Sequence, residues 1–272
     1  MPELPDVEHF RRTFAQAAEG RLVQEVLVTD PGILRNVSAS DLDRTLRGHR
    51  FGRPERRGKW LIAGTDGPAL LLHFGMTGDV LWARDADGRH PHDRVILVLD
   101  DGEVRYRNMR KLGGVWLASE PDEVDVLLGR LGPDALSLGR NEFLERLGRR
   151  RGGVKAALVD QSFIAGVGNL LADEVLWRAR IHPLHGVQDL SPDERATLFR
   201  ALRAVIRNTV DRYPEGFESR WTLARGRPAA RCPRCGTELA RVVVGGRTTY
   251  LCPTCQRLDP ESPPRPAEVG AG

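Results

Sequence analysis

The apolar positions change period along the chain, and the changes divide it. From Val7 through Phe10, Phe14 and Ala17 they recur every three or four residues and Gly20 follows as a stop, so the spacing predicts a helix over 6–19. Over 22–118 the pattern becomes short β runs broken by turn residues: 22–28, 59–63, 69–74, 79–83, 94–99, 103–107 and 114–118. Asp100-Asp101-Gly102 reads as a hairpin turn, and a short helix interrupts near 41–47, with Ser40 as its N-cap and Asp43 three residues on. Residues 121–138 read as a linker holding one or two helical turns. From Asn141 the period returns to 3.6, with helices expected near 141–149, 154–161, 168–179 and 192–211, the last opening on Ser191-Pro192.

The predicted fold is α+β and multidomain. A β-sandwich or barrel with a leading helix occupies 1–120, a linker 121–140, a helical domain 141–225 and a cysteine hairpin 226–257. The proline-rich tail, 258–272, is expected to be disordered.

Composition narrows the class. At 272 residues with 40% hydrophobic content, the chain is long enough for two cores. No run approaches the roughly 20 apolar residues of a membrane span, and no basic-then-apolar leader opens the chain, so a soluble, unexported, cytoplasmic protein is expected. The net charge is only +4, but it is unevenly placed: from Arg200 to Arg247 there are eleven arginines against Asp211, Glu215, Glu218 and Glu238. That excess points to nucleic acid, although a solvated arginine-rich surface has the same composition. Lysine is scarce: of 41 basic residues only Lys59, Lys111 and Lys155 are lysine, which marks them as candidate positions for a compact ammonium.

Three stretches carry chemistry. Cys232-x2-Cys235 and Cys252-x2-Cys255 bracket sixteen residues with Gly245-Gly246 inside them, the spacing of a four-cysteine hairpin holding one structural Zn2+. Four thiolates fill a tetrahedral ion and leave no position for substrate. Arg247, just past the turn, would be offered to a phosphate; a solvated turn arginine has the same spacing. Gly166-Val167-Gly168-Asn169 ahead of a helix is a possible phosphate cradle, or a tight helix–helix turn. At the N-terminus, removal of Met1 would expose the secondary amine of Pro2. Such an amine attacks electrophilic carbon once its pKa is lowered, and Glu3 beside it is a candidate acid. A proline in a mobile chain end looks the same.

Together these motifs, in this order and spacing, resemble the formamidopyrimidine-DNA glycosylase and endonuclease VIII family, nearer the formamidopyrimidine branch because Leu4 stands where the other branch has glycine. The resemblance runs from residue 2 to 256. It implies a base-excision repair glycosylase and AP lyase acting, as a monomer, on double-stranded DNA with damaged bases or abasic sites, at the nucleoid. Pro2 matches the family nucleophile, which forms a Schiff base at C1′ before β,δ-elimination, and Glu3 matches the acid/base that assists opening of the sugar. Lys59 matches a hairpin lysine that contacts the lesion and its phosphate. Asn169 and Arg247 match the pair gripping flanking phosphates, and His73 a further backbone contact. Lys155 falls where the family has a lysine opening the first helix of the helix–two-turn–helix motif and is expected at the DNA. Met76, Arg110 and Leu112 match the side chains that fill the void left by an extruded nucleotide.

Departures accompany the match. Leu112 replaces an aromatic wedge, the stretch 107–111 lacks an aspartate-proline pair, and Asp6 replaces a glutamate. Only about twenty residues join the last long helix to the hairpin. The loop that caps 8-oxoguanine in purine-specific members is therefore expected to be missing, leaving ring-opened purines, hydantoins or oxidised pyrimidines. Two other classes are a lesion-binding relative without chemistry, against which Pro2, Glu3 and Lys59 all stand, and a tautomerase-like enzyme using proline as a base, against which the hairpin and the arginines stand.

Overall fold

The leading helix shows how the sequence builds the first half of the protein. In a computed structural model, which describes residues 2–215 and 224–258, α1 spans Leu4–Ala18. It begins two residues before the apolar spacing suggests because Pro5 is tolerated in the first turn, and the Asp6 carboxylate accepts the Glu3 amide at 2.7 Å. Leu4, Val7, Phe10, Phe14 and Ala18 form its buried face.

That face lies against two antiparallel sheets. One runs β1 (Val23–Val28), β6 (Asp93–Leu99), β7 (Gly102–Asn108), β5 (Gly78–Ala83). The other runs β2 (Glu55–Arg57), β3 (Trp60–Gly64), β4 (Ala69–His73), β8 (Gly114–Ala118). Side chains alternate across a strand, so Val95, Leu97 and Leu99 of β6 and Val104 and Tyr106 of β7 join Leu61, Leu70 and Leu72 in one core with α1. Aromatic rings lock the helix down: Phe10 sits 4.6 Å from Phe74 between centroids, and Phe14 meets Phe51 edge-on at 5.1 Å.

Two local expectations need correction. The short helix α2 spans Ala39–Leu46, and its N-cap is Ser38, whose hydroxyl accepts from the Asp41 amide at 3.1 Å, not Ser40. Starting there places Leu42 and Leu46 in the core. Strand β2 was absent from the apolar pattern because Glu55-Arg56-Arg57 has no apolar residue; it is a sheet-edge strand paired to β3 through a two-residue turn.

The chain divides into two compact units at Arg130/Leu131. α3 (Pro121–Leu128) ends the first. The second holds α4 (Arg140–Gly148), α5 (Val154–Val159), α6 (Asn169–Ala179), α7 (Pro192–Asp211) and the hairpin β9 (Ala240–Val244), β10 (Arg247–Leu251). α7 opens on a capping box: Ser191 accepts from the Glu194 amide at 3.2 Å and Glu194 accepts from the Ser191 amide at 2.8 Å. The α+β division read from the pattern is the one observed, sheets first and helices with a four-cysteine hairpin after. The proline-rich tail, from residue 259 on, lies outside the described residues.

Phe14→Ala removes a fully buried ring between α1 and Phe51, and should destabilise the protein by about 3–5 kcal/mol in urea denaturation. A loss under about 1 kcal/mol would show that α1 is not held by this contact.

Candidate functional site

In the first unit the N-terminus is fixed rather than trailing. Pro2 is half-buried and Glu3, 2% exposed, is the N-cap of α1, where a carboxylate is favoured by the helix's unpaired amides. Lys59 is half-buried in the β2–β3 turn, whose first central residue, Gly58, has φ +59 as a type II′ hairpin needs. One chain of bonds joins these two places. Glu8, on α1, accepts from Arg11 at 2.8 Å and from Arg56 at 3.3 Å, and Arg56 also donates to the Gly58 carbonyl at 2.9 Å. The Arg56 side chain is 5% exposed, so the link is internal. Burial pushes the Glu8 carboxyl up, but Arg11, Arg56 and Arg12 more than offset it and hold it below the usual carboxylate range. The sequence signal for this link was a glutamate on the buried side of an amphipathic helix.

His73, Met76, Arg110 and Leu112 come together at the β4–β5 turn and the β7–β8 loop. Gly75, at φ +59, lets the turn touch the loop: a Cβ there would lie 2.4 Å from the Gly113 amide. Arg110 Nη1 is 3.5 Å from Met76 Sδ, and Met76, Arg110 and Leu112 are all exposed. Met109, not singled out from the sequence, is exposed beside them. What holds the loop is buried Asn108, which donates to the Phe74 carbonyl at 3.2 Å and accepts from the Lys111 amide at 2.9 Å; Thr77 accepts from the Arg110 amide at 3.1 Å. Arg35 caps the Lys111 and Gly113 carbonyls, and Lys111 itself pairs with Asp30 at 2.9 Å. His73 is pushed down to about 4 by burial and by nearby Lys59, so it is neutral near pH 7. Its Nδ1 accepts from the Gly75 amide at 3.3 Å, which leaves Nε2 as the donor nitrogen.

In the second unit the glycine loop leads into α6. Gly166 has φ +106 and Gly168 is the N-cap, with Asn169 the first helical residue. Gln161 clamps the loop, accepting from the Gly166 amide at 3.0 Å and donating to the Val167 carbonyl at 2.8 Å. Asn169 Nδ2 donates to the Thr248 carbonyl at 2.9 Å, which places it beside Arg247 on β10. Arg247 is exposed and follows Gly245-Gly246, both at positive φ as a type I′ turn requires.

Lys155 differs from expectation. It is 1% exposed, 2.6 Å from Asp173 and 2.5 Å from Thr249 Oγ1, so its ammonium faces a carboxylate and a hydroxyl inside the unit rather than solvent. Burial pushes Lys155 down while Asp173 opposes that shift.

The four cysteine sulfurs lie within 4.8 Å of one another. Neighbouring pairs are 3.4, 3.5 and 4.0 Å apart, against about 3.8 Å for tetrahedral ligands at a Zn–S bond of about 2.3 Å. The donor set fits one Zn2+ closed to substrate. The Trp177 indole N–H donates to Cys232 Sγ at 3.4 Å, an outer bond that orients the thiolate. The connection between α7 and the hairpin, where the capping loop is expected to be missing, includes residues 216–223, outside the described residues. No helix among the described residues is long and apolar enough to cross a membrane.

Comparison with known proteins follows the same division. Residues 1–115 match the formamidopyrimidine-DNA glycosylase N-terminal domain, 131–220 the H2TH domain of that glycosylase, and 231–258 a zinc finger found in FPG and IleRS. The hairpin is thus a zinc finger for one structural zinc. The formamidopyrimidine-DNA glycosylase of Pelotomaculum thermopropionicum is 36% identical, covering 95% of this chain and 100% of the relative; that of Thermomicrobium roseum is 37% identical over 95% and 100%. Among solved structures, Lactococcus lactis Fpg noncovalently bound to DNA containing an AP site is 30% identical with a TM-score of 0.86, covering 94% of this chain and 100% of that one. The Lactococcus lactis protein with a DNA containing N7-benzyl-Fapy-dG is 28% identical, with the same TM-score and coverage.

The Glu8 link has a pH signature. A carboxylate whose folded pKa is depressed stabilises the fold above its unfolded pKa, and that contribution disappears as pH falls through the folded value. Between about pH 6 and about pH 3, wild type should lose more stability than Glu8→Gln in parallel denaturations, and superimposable profiles would contradict the link.

Proposed function

The chain belongs to the formamidopyrimidine-DNA glycosylase family, and we propose that it is a base-excision repair enzyme, both DNA glycosylase and AP lyase, acting through the amine of Pro2. The observation that carries this reading is the N-terminus itself: a half-buried proline directly ahead of a buried glutamate, on a helix whose apolar face is in the core. With Met1 removed, the Pro2 nitrogen attacks C1′ of the extruded nucleotide, the N-glycosidic bond breaks and the base leaves with its electron pair. Glu3 protonates the ring oxygen as the sugar opens. The resulting iminium acidifies C2′, loss of that proton expels the 3′ phosphate, and a second elimination expels the 5′ phosphate.

The other side chains bind. Lys59 contacts the phosphate at the lesion, and neutral His73 donates Nε2–H to the backbone. Asn169 and Arg247 grip the flanking phosphates, while Met76, Arg110 and Leu112 occupy the vacated stack, with Leu112 offering less stacking surface than an aromatic ring. Lys155, buried against Asp173, acts from inside the fold. Substrates are ring-opened purines, hydantoins or oxidised pyrimidines in preference to 8-oxoguanine, because the connection that would carry a cap is short. The protein works as a monomer in the cytoplasm, at the nucleoid.

Wild type incubated with abasic-site duplex and borohydride should give a covalent adduct and nick the strand, whereas Pro2→Gln, which retains Met1, should give neither. A wild type that binds the duplex yet yields no adduct on abasic or lesion DNA would make the protein a binding relative without chemistry. Stripping the zinc should weaken duplex binding by releasing β10 and Arg247, with zinc loss verified by metal analysis; unchanged affinity would contradict that role.

A further inference from the structure

The β9–β10 hairpin has only two strands, and such a hairpin is marginal alone, so the direction in which it points must be set from outside. Zinc holds its base. Beyond that base, β10 is held by three bonds to consecutive residues. Asn169 donates to the Thr248 carbonyl at 2.9 Å, Lys155 donates to Thr249 Oγ1 at 2.5 Å, and Asp173 Oδ2 accepts the Tyr250 amide at 3.3 Å. Asn169 and Asp173 are four residues apart on α6 and so share one face, from which they take up β10 edge groups that a third strand would otherwise pair. Asp173 lies at the middle of the set. It is 1% exposed, with Lys155 Nζ 2.6 Å from one oxygen and Arg225 Nη2 2.6 Å from the other, and the Arg225 guanidinium stacks over the Tyr250 ring at 5.2 Å.

We propose that Asp173 is a positioning residue for the phosphate grip: by tying β10 to α5 and α6 it fixes where Arg247 presents its guanidinium beside Asn169. Arg247 is the residue immediately before the stapled run, so a hairpin that pivots on its zinc end moves that guanidinium most. The role of Lys155 follows. A single compact ammonium reaches both the Asp173 carboxylate and the Thr249 hydroxyl in a space closed to solvent, where a planar guanidinium would need more partners. The inference rests on the reading of Asn169 and Arg247 as phosphate ligands and adds the element that aims Arg247.

The test is a double-mutant cycle on the zinc-loaded, full-length protein, with an abasic-site duplex as the probe. Asp173→Asn should raise Kd about tenfold, lower the slope of log Kd against log salt by about one phosphate contact, and add almost nothing when combined with Arg247→Ala. A purely structural defect would instead lower the active fraction, leave the salt slope unchanged and add fully to Arg247→Ala. That result, or an unchanged Kd, would overturn the proposal. If Asp173→Asn loses its zinc, the same cycle is read with Thr249→Val, which removes the hydroxyl anchor and leaves every charge in place. A loss of about threefold, again non-additive with Arg247→Ala, is then expected, and an additive loss or none overturns it. Binding reads this inference and borohydride trapping reads the enzymatic one. A protein that traps but shows additive losses would lose only the staple, and one that couples but does not trap would lose only the chemistry.

Discussion

A group at the end of a chain is tethered on one side only, so its position is as good as the packing of the segment that follows it. Here that segment is α1, and the constraint is the burial of Val7, Phe10 and Phe14 in the core shared with two sheets, with Leu4 buried ahead of them. The helix starts immediately after Glu3, so no slack separates Pro2 from the first packed side chain. The same helix carries Glu8 on its buried side and, through Arg56, fixes the turn that presents Lys59. Rigidity of the terminus and placement of the lysine therefore have one origin, the apolar stripe of α1.

Charge inside both units is organised by carboxylates that collect cations. Glu8 gathers Arg11, Arg12 and Arg56 in the first, and Asp173 gathers Lys155 and Arg225 in the second. Each sits on a helix and reaches an element distant in sequence, so each buried ion pair fixes an orientation while contributing little net stability. The outward-facing groups have the opposite character: Met76, Arg110 and Leu112 are exposed on a short turn and a loop held from behind by Asn108, Thr77 and Gly75, and Arg247 is exposed at the start of β10, directly after the Gly245-Gly246 turn.

Elements governed by local rules were legible in the sequence. Period alone located α1, α4 to α7 and every strand with apolar alternation, and cysteine spacing located the zinc hairpin, because these signals lie within a few residues of one another. What escaped depends on contacts across the chain. Strand β2 is polar and exists because β3 pairs with it; Ser38 outcompetes Ser40 as a cap because Leu42 and Leu46 must reach the core. Lys155 is expected at the DNA from its place in the motif, since no local pattern tells an ammonium offered to a ligand from one facing a carboxylate eighteen residues on. Asn108 and Gln161 carry no motif, and their roles appear only when the carbonyls and amides they satisfy are brought beside them.

The most direct test of the central claim is to locate the covalent bond. Protein reduced with borohydride on an abasic-site duplex, digested with nuclease and protease and read by tandem mass spectrometry, should carry the sugar remnant on the nitrogen of Pro2 in a peptide lacking Met1. A remnant on Lys59 or any other lysine, with Pro2 unmodified, would contradict the account.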